Sequence, residues 1–312
     1  MMVHKPKWFR DDQVFVSFAR TIGINKDGDT LFAVNAKTGK RTDEIDDRVG
    51  VDLDSLFESK MTDTSRWIDI DEFGYAVPVY YDDRHAAALG KLLSTPEFSA
   101  FEARSLGNLI EEELITKRAG HGSPPQDLRG GTVPYIKVSD IRAGQVNINP
   151  TNLVPEPVAE RYWRGNASGI RPFDLVTPIR ASSNIGEFAI IMPGQERIVL
   201  TKEVLIIRAA VAAPVDNFYL LWALTLKVVR DQWKRIVFMQ TNRDDVGERY
   251  LELEIPWPTG RAAGERISKD FRDYYTSLDR LRSQFVSALL ADGLHHVFLG
   301  DGAPGDAIAE AE

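Results

Sequence analysis

Pro134-Tyr135-Ile136-Lys137-Val138-Ser139-Asp140-Ile141 sets polar residues between apolar ones at strand length, and two further segments in the same region do so as well. These are Phe173-Asp174-Leu175-Val176-Thr177-Pro178-Ile179-Arg180, and Ile198-Val199-Leu200 followed by Leu205-Ile206-Ile207-Arg208. Downstream, Asp216 to about Val237 reads as one long helix, with Asp216 as N-cap and Phe218, Leu221, Trp222, Leu224, Val228, Val229, Trp233 and Ile236 as its apolar face. Arg230, Lys234 and Arg235 lie near its C-terminus, where cations complement the helix dipole. A polar turn, Gln240-Thr241-Asn242-Arg243, ends it. Strands gathered together, then helices, predict an α+β fold: a β-rich domain with one long packed helix and a coiled-coil helix after it.

That last helix spans Arg266 to Leu290. Ile267, Phe271, Tyr274, Leu278, Leu281, Phe285 and Ala288 recur at alternating steps of four and three, the heptad seam of a coiled coil. A narrow seam needs a partner helix, supplied by the chain's own domain, a second copy or another subunit. Upstream, Val14-Phe15-Val16-Ser17-Phe18 and Leu31-Phe32-Ala33-Val34 read as a hairpin around Asn25-Lys26-Asp27-Gly28. Thr38 to Asp54 reads as a loop, and a helix is expected to start at Thr95, with Pro96 and Glu97 in its first turn and Gly107 as its stop. The predicted organisation is a small α+β region over 1–100, a β-rich domain over 101–260, the seam helix over 261–298 and an acidic, disordered tail over 299–312.

With 312 residues, 43% of them hydrophobic, the chain can bury a sizeable core. It has no Cys, which excludes disulfides and thiolate metal sites. No stretch reaches the length of a membrane span, and Met1-Met2-Val3-His4-Lys5 lacks the apolar core of a signal peptide, so a cytoplasmic location is expected.

Catalytic constellations fail one by one. No GxxxxGK[ST] loop is present. His4, His85, His121, His295 and His296 show no ligand spacing with carboxylates, so no metal site is predicted. Asp54 with Glu58-Ser59-Lys60 echoes a nuclease core, but its spacing is that of one helical turn, and Asp54 reads as a helix cap. Ser123-Pro124-Pro125-Gln126 has the two prolines of an amino-methylase loop without the aromatic ring that follows them, and reads as a structural turn.

Recognition chemistry remains. The net charge of −8 divides as −5 over 1–100, 0 over 101–260 and −3 over 261–312, while 161–250 carries +4 through side chains such as Arg161, Arg171, Arg180, Lys202, Arg208 and Arg230. A local basic face can neutralise phosphates in an acidic protein. Arg180 is followed by Ala181-Ser182-Ser183-Asn184, and Gln240, Thr241, Asn242 and Arg243 repeat that chemistry. Asn and Gln pair with adenine, Arg with guanine, and Ser or Thr with phosphate. With Lys137, Ser139, Arg142 and Lys202 these form the candidate DNA-binding set, although Asn, Ser and Thr also populate ordinary turns.

Gly120-His121-Gly122-Ser123-Pro124, then PYIKVSDI (134–141), IRPFDLVTPIR (170–180) and QTNRDD (240–245) before ELEIPWP (252–258), follow the order of one family. Over about 105–290 the chain resembles the specificity subunit of type I restriction-modification enzymes. It departs at Phe173, where the family has Gly in the turn leading into the strand, and at Thr259-Gly260-Arg261-Ala262-Ala263, which replaces a Pro-rich linker. VFVSFARTIGINKDGDTLF (14–32) resembles the segment that follows the catalytic domain in adenine-N6 DNA methylases of type I systems. The resemblance implies a non-catalytic subunit that binds duplex DNA sequence-specifically and directs a separate methylase carrying S-adenosylmethionine. A restriction and translocation subunit is a further implied partner, and residues 1–100 would complete or dock the methylase. One recognition domain with one seam helix looks like half a specificity subunit, which would pair through Ile267, Phe271, Tyr274, Leu278, Leu281 and Phe285. A nuclease or sensor component of a defence system, or a protein-interaction scaffold, stays open.

Overall fold

The computed structural model describes residues 9–128, 130–148, 151–166, 169–180, 183–238 and 246–294. Contacts divide the chain into one unit of 1–84 with 234–238 and a second of 85–233 with 239–312.

In the first unit β1 (Gln13–Ser17) pairs antiparallel with a distant strand, so the hairpin expected over 14–34 does not form. β2 (Phe32–Val34) pairs with β3 (Arg41–Ile45), α1 spans Arg48–Phe57, and β4 (Ser65–Asp69) is the partner of β1, with Phe15 opposite Trp67. The Asp-Gly turn closes only the Ile24–Thr30 bridge, because the Asn25 carboxamide oxygen takes up the backbone N–H groups of Asp27 and Asp29. The hairpin turn is Asn35 to Lys40 instead, with Gly39 at φ +67°. The loop expected over Thr38 to Asp54 therefore holds β3 and most of α1. Asp47, not Asp54, caps that helix by accepting from the Gly50 N–H at 2.8 Å. A glycine three residues after the cap disguises the start. The inward face of α1 is polar: the buried Asp52 carboxylate accepts hydrogen bonds from the hydroxyls of Ser17, Thr62 and Thr64. Further on, the rings of Tyr75 and Tyr80 pack on Phe238 at 5.1 and 5.9 Å.

The second unit has the mixed α+β composition expected. α2 (Arg84–Leu93) leads to β5 (Phe101–Ser105), α3 (Leu106–Glu111) and β6 (Ile115–Ala119). The helix expected from Thr95 to Gly107 is a single 3-10 turn, Pro96–Phe98, followed by β5; Gly107 lies inside α3, which Ser105 caps. Pairing with a strand 150 residues downstream overrides the local helix signal. β7 (Val133–Ile136), β8 (Ile141–Arg142), β9 (Gly144–Val146), β10 (Leu153–Val154) and α4 (Glu156–Asn166) follow, then β11 (Leu175–Pro178), β12 (Ala189–Ile190), β13 (Val199–Leu200) and β14 (Val204–Ala209). The segment 134–141 is thus not one strand: a 3-10 turn, Val138–Asp140, separates β7 from β8. Six strands form a sheet in the order β6-β14-β11-β12-β9-β8, and three form β10-β7-β13.

The two sheets face each other across Ile136, Ile141, Val146, Val176, Ile191, Ile198, Leu200, Val204 and Ile206. On its other face the small sheet meets α4 through Val133, Tyr135, Val158 and Val199. Strand side chains alternate, so Leu205 and Ile207, also buried, point away from the small sheet toward α5 (Asn217–Thr225). β14 is covered on both faces, which explains its unbroken apolar run. Each such buried side chain stabilises by about 1.5–3 kcal/mol.

Asp216 caps α5 as predicted, accepting from Tyr219 N–H at 2.9 Å. The long helix itself is three: α5, α6 (Lys227–Arg230) and α7 (Trp233–Ile236). Leu226 takes an extended ψ of 134°, and buried Gln232 exchanges two hydrogen bonds with the Glu254 backbone in β15 (Glu254–Pro258), the partner of β5. The last helix is likewise two, α8 (Arg261–Ile267) and α9 (Lys269–Ala291), joined at buried Ser268, whose hydroxyl donates to Gly264 O. Among the described residues no helix is long and apolar enough to cross a membrane.

Candidate nucleic-acid interface

Three turns converge at one end of the two facing sheets. The first, after β7, is fixed by Asp140, whose buried carboxylate accepts from Lys137 N–H at 2.8 Å and from the Ser139 hydroxyl at 3.3 Å. The second joins β13 to β14: Thr201 N–H donates to Ile136 O, which ties it to the first. The third leaves β11 at Ile179, whose N–H donates to Glu203 O and so ties it to the second. Asn184 closes the ring, its side-chain amide donating to Val138 O at 3.1 Å and Ile141 O at 3.0 Å.

The Gly120-His121-Gly122 segment supports this arrangement from below. A Cβ on Gly120 would lie 2.0 Å from Thr201 O, so only glycine permits the approach. His121 Nδ1 accepts from Leu200 N–H at 2.9 Å, and the Ser123 and Thr201 hydroxyls are 3.0 Å apart. Pro124 and Pro125 lead into a 3-10 turn at Gln126–Leu128, the structural turn expected.

The structure thus brings Lys137, Ser139, Arg142, Arg180, Ser183, Asn184 and Lys202 into one loop cluster. They are not equally available. Ser139, Arg142, Ser183 and Lys202 are exposed. Lys137 is half-buried and donates to the Asn152 side-chain oxygen at 2.6 Å, and Arg180 is ion-paired with Glu203. Asn184 is 3% exposed with both amide hydrogens committed to the backbone, which corrects its place in the candidate set: it holds the turns and presents nothing to a ligand. Ser182, Gln240, Thr241, Asn242 and Arg243 lie outside the described residues, as do His295, His296 and the tail over 299–312. Val246 N–H, just beyond that polar turn, donates to Ile179 O beside Arg180.

The basic surplus of 161–250 is smaller in effect than its count. Arg208 is consumed by the fully buried Asp174, at 2.5 Å, and by Gly169 O. Arg230 pairs with Glu187 and Lys227 with Asp231. Asn152, Thr201 and Glu203, which hold this site, carry no sequence signal; each acts through a partner distant in the chain.

Phe173 keeps the left-handed backbone that glycine would supply, at φ +65°. Its N–H donates to Ile191 O, its carbonyl accepts from the Asn217 amide, and its ring lies 4.9 Å from Phe218, contacts that offset a strain of roughly 1–2 kcal/mol. On α9, Tyr275 is the buried residue, donating to Gly144 O at 3.0 Å, with a phenol pushed up to about 12 by burial. Of the seam residues, Ile267, Phe271 and Leu278 are half-buried, whereas Tyr274, Leu281 and Phe285 are exposed. Among the described residues no cluster of His, Asp and Glu could hold a metal ion.

No protein-family model matches the chain, and no curated protein does. Solved structures do. A chain of a type I R-M system, from work on its complex assembly and conformational transition, is similar at 15% identity and a TM-score of 0.39, over 67% of this chain and 48% of that one. The HsdS subunit from Thermoanaerobacter tengcongensis matches at 16% and 0.36, over 64% and 44%. The type I restriction-modification S subunit from M. genitalium matches at 14% and 0.38, over 67% and 50%. This chain spans about half the length of each of these matched chains.

Proposed function

We propose that this chain is a non-catalytic specificity subunit that reads duplex DNA through the turns after β7, β11 and β13 and directs a separate adenine-N6 methylase. The observation that carries the reading is the convergence of exposed Ser139, Arg142, Ser183 and Lys202 on one hydrogen-bonded loop cluster. Guanidinium and hydroxyl groups held on linked turns can meet base edges and phosphates together. Arg180 joins them when its pair with Glu203 opens. S-adenosylmethionine belongs to the methylase partner in this reading, and a restriction and translocation subunit is its further companion.

Arg142→Ala is expected to weaken binding to the cognate duplex by about 1–3 kcal/mol and to relax preference at one base pair. Lys202→Ala is expected to weaken binding evenly across sequences and to lower the slope of log affinity against log salt by about 1. Titrating labelled duplexes at several salt concentrations checks both; wild-type affinity and slope in the two variants would overturn the assignment.

Two half-subunits are proposed to pair through the exposed seam of α9, where Leu281 is 59% exposed. Light scattering is expected to give a dimeric mass that Leu278→Glu with Leu281→Glu reduces to the monomer. A monomer in both proteins removes the pairing while leaving the DNA reading intact.

A further inference from the structure

The first unit has an inverted helix. α1 turns a polar side inward, with Asp52 and Ser55 buried, and sets apolar side chains outward. Val49, Leu53 and Phe57 fall at steps of four, so they share one side of the helix, and exposed Met61 follows in the turn after it. Val49 is 37% exposed, Leu53 49% and Met61 59%. The neighbouring segment adds to this surface: Val49 N–H donates to Thr21 O and Gly23 N–H to Asp46 O, which brings exposed Ile22 alongside the start of the helix. A helix that saves its apolar residues for the outside makes sense when another surface covers them.

Charge decides what that surface is. Residues 9–84 carry 17 Asp and Glu against 10 Lys and Arg. Two cations beside the apolar line are matched, Arg48 with Asp46 and Lys60 with Glu58, whereas exposed Arg20, next to Ile22, makes no ion pair among the described residues. The carboxylates of Asp43, Glu44 and Asp54 make no ion pair among the described residues, and Asp54 lies on α1 itself. An apolar line on a unit with that acidic surplus repels DNA and anionic lipid alike, and attracts an apolar protein surface rimmed by Lys and Arg. We infer that the outer side of α1 is the docking face for a partner protein of that kind. The inference stands on the first unit alone and does not require the DNA reading.

The test places a photo-crosslinking benzoylphenylalanine at Leu53, Met61 or, as control, the exposed Val211 of the full-length chain in its native host, with cross-linked peptides read by mass spectrometry. Leu53 and Met61 are expected to join the same single protein, at apolar residues with Lys or Arg within a few positions, and Val211 to leave it untouched. Glu44→Lys with Asp54→Lys is expected to cut the yield at least tenfold without moving Tm or the affinity for DNA. Cross-links to a second copy, to residues 85–294 of the same chain, to DNA or to lipid would each overturn the inference, as would unrelated products from the two positions or a yield insensitive to charge reversal. Failure of the DNA titrations with the cross-link intact would reject the proposed function and leave this face standing.

Discussion

Arg208→Ala is expected to destabilise the protein by about 3–5 kcal/mol, because it strands a carboxylate with no access to water. Asp174 is 0% exposed, and its two oxygens take the Arg208 guanidinium at 2.5 Å together with the Arg171 N–H at 2.8 Å. Removing the cation leaves one short backbone hydrogen bond to compensate a buried charge. The loss would lower the thermal midpoint by on the order of 10 °C in a domain of this size. Replacing both partners with apolar residues of similar shape, Arg208→Met with Asp174→Leu, is expected to recover most of it, since two desolvation costs disappear with the pair. Thermal denaturation of the two single variants and the double gives the coupling directly. Equal losses that simply add would show that the pair is not the source of the effect. Because Arg208 lies on β14 away from the loop cluster, a folded Arg208 variant should keep its DNA affinity.

Asn184→Ala is expected to cost about 1–3 kcal/mol, chiefly from Ile141 O, left without the amide that reaches it inside the protein, while Val138 O keeps the Ile141 N–H. Its effect on DNA is expected to differ in kind from that of Arg142→Ala. Asn184 touches no ligand, so its loss loosens the turn that carries Ser139 and Arg142, and specific affinity falls while the salt slope stays unchanged. Asn184→Asp should do as badly as alanine, since a carboxylate accepts where two donors are needed. Urea unfolding and salt-dependent titration of the same variants separate these effects. Undiminished stability in Asn184→Ala would contradict the clamp.

Much of this architecture is legible in residue order, and the reasons for the exceptions are physical. β11, β13 and β14 announce themselves by apolar runs at strand length, and Asp216 marks a helix start because its partner, Tyr219, is three residues away. Local signals serve where the partner is local. The helix break at Gln232 and the strand β5 depend on pairings that close only in the folded chain, Gln232 with Glu254 and Phe101 with Pro258. The same distinction runs through the candidate site. Ser139, Arg142 and Lys202 are recognisable as polar turn residues and remain exposed, while Asn184, identical in kind, is claimed by carbonyls more than 40 residues upstream. Composition alone likewise overstated the basic face, because Arg208, Arg230 and Lys227 each meet a carboxylate.

Whether the linked turns read sequence is settled by offering the full-length chain a pool of random duplexes at physiological salt and sequencing what it retains. Enrichment of one defined motif, bound at least about 10³-fold more tightly than bulk duplex and altered at a discrete position by Arg142→Ala, is the predicted result. Retention without a motif, or a motif that Arg142→Ala and Lys202→Ala both leave unchanged, would contradict it.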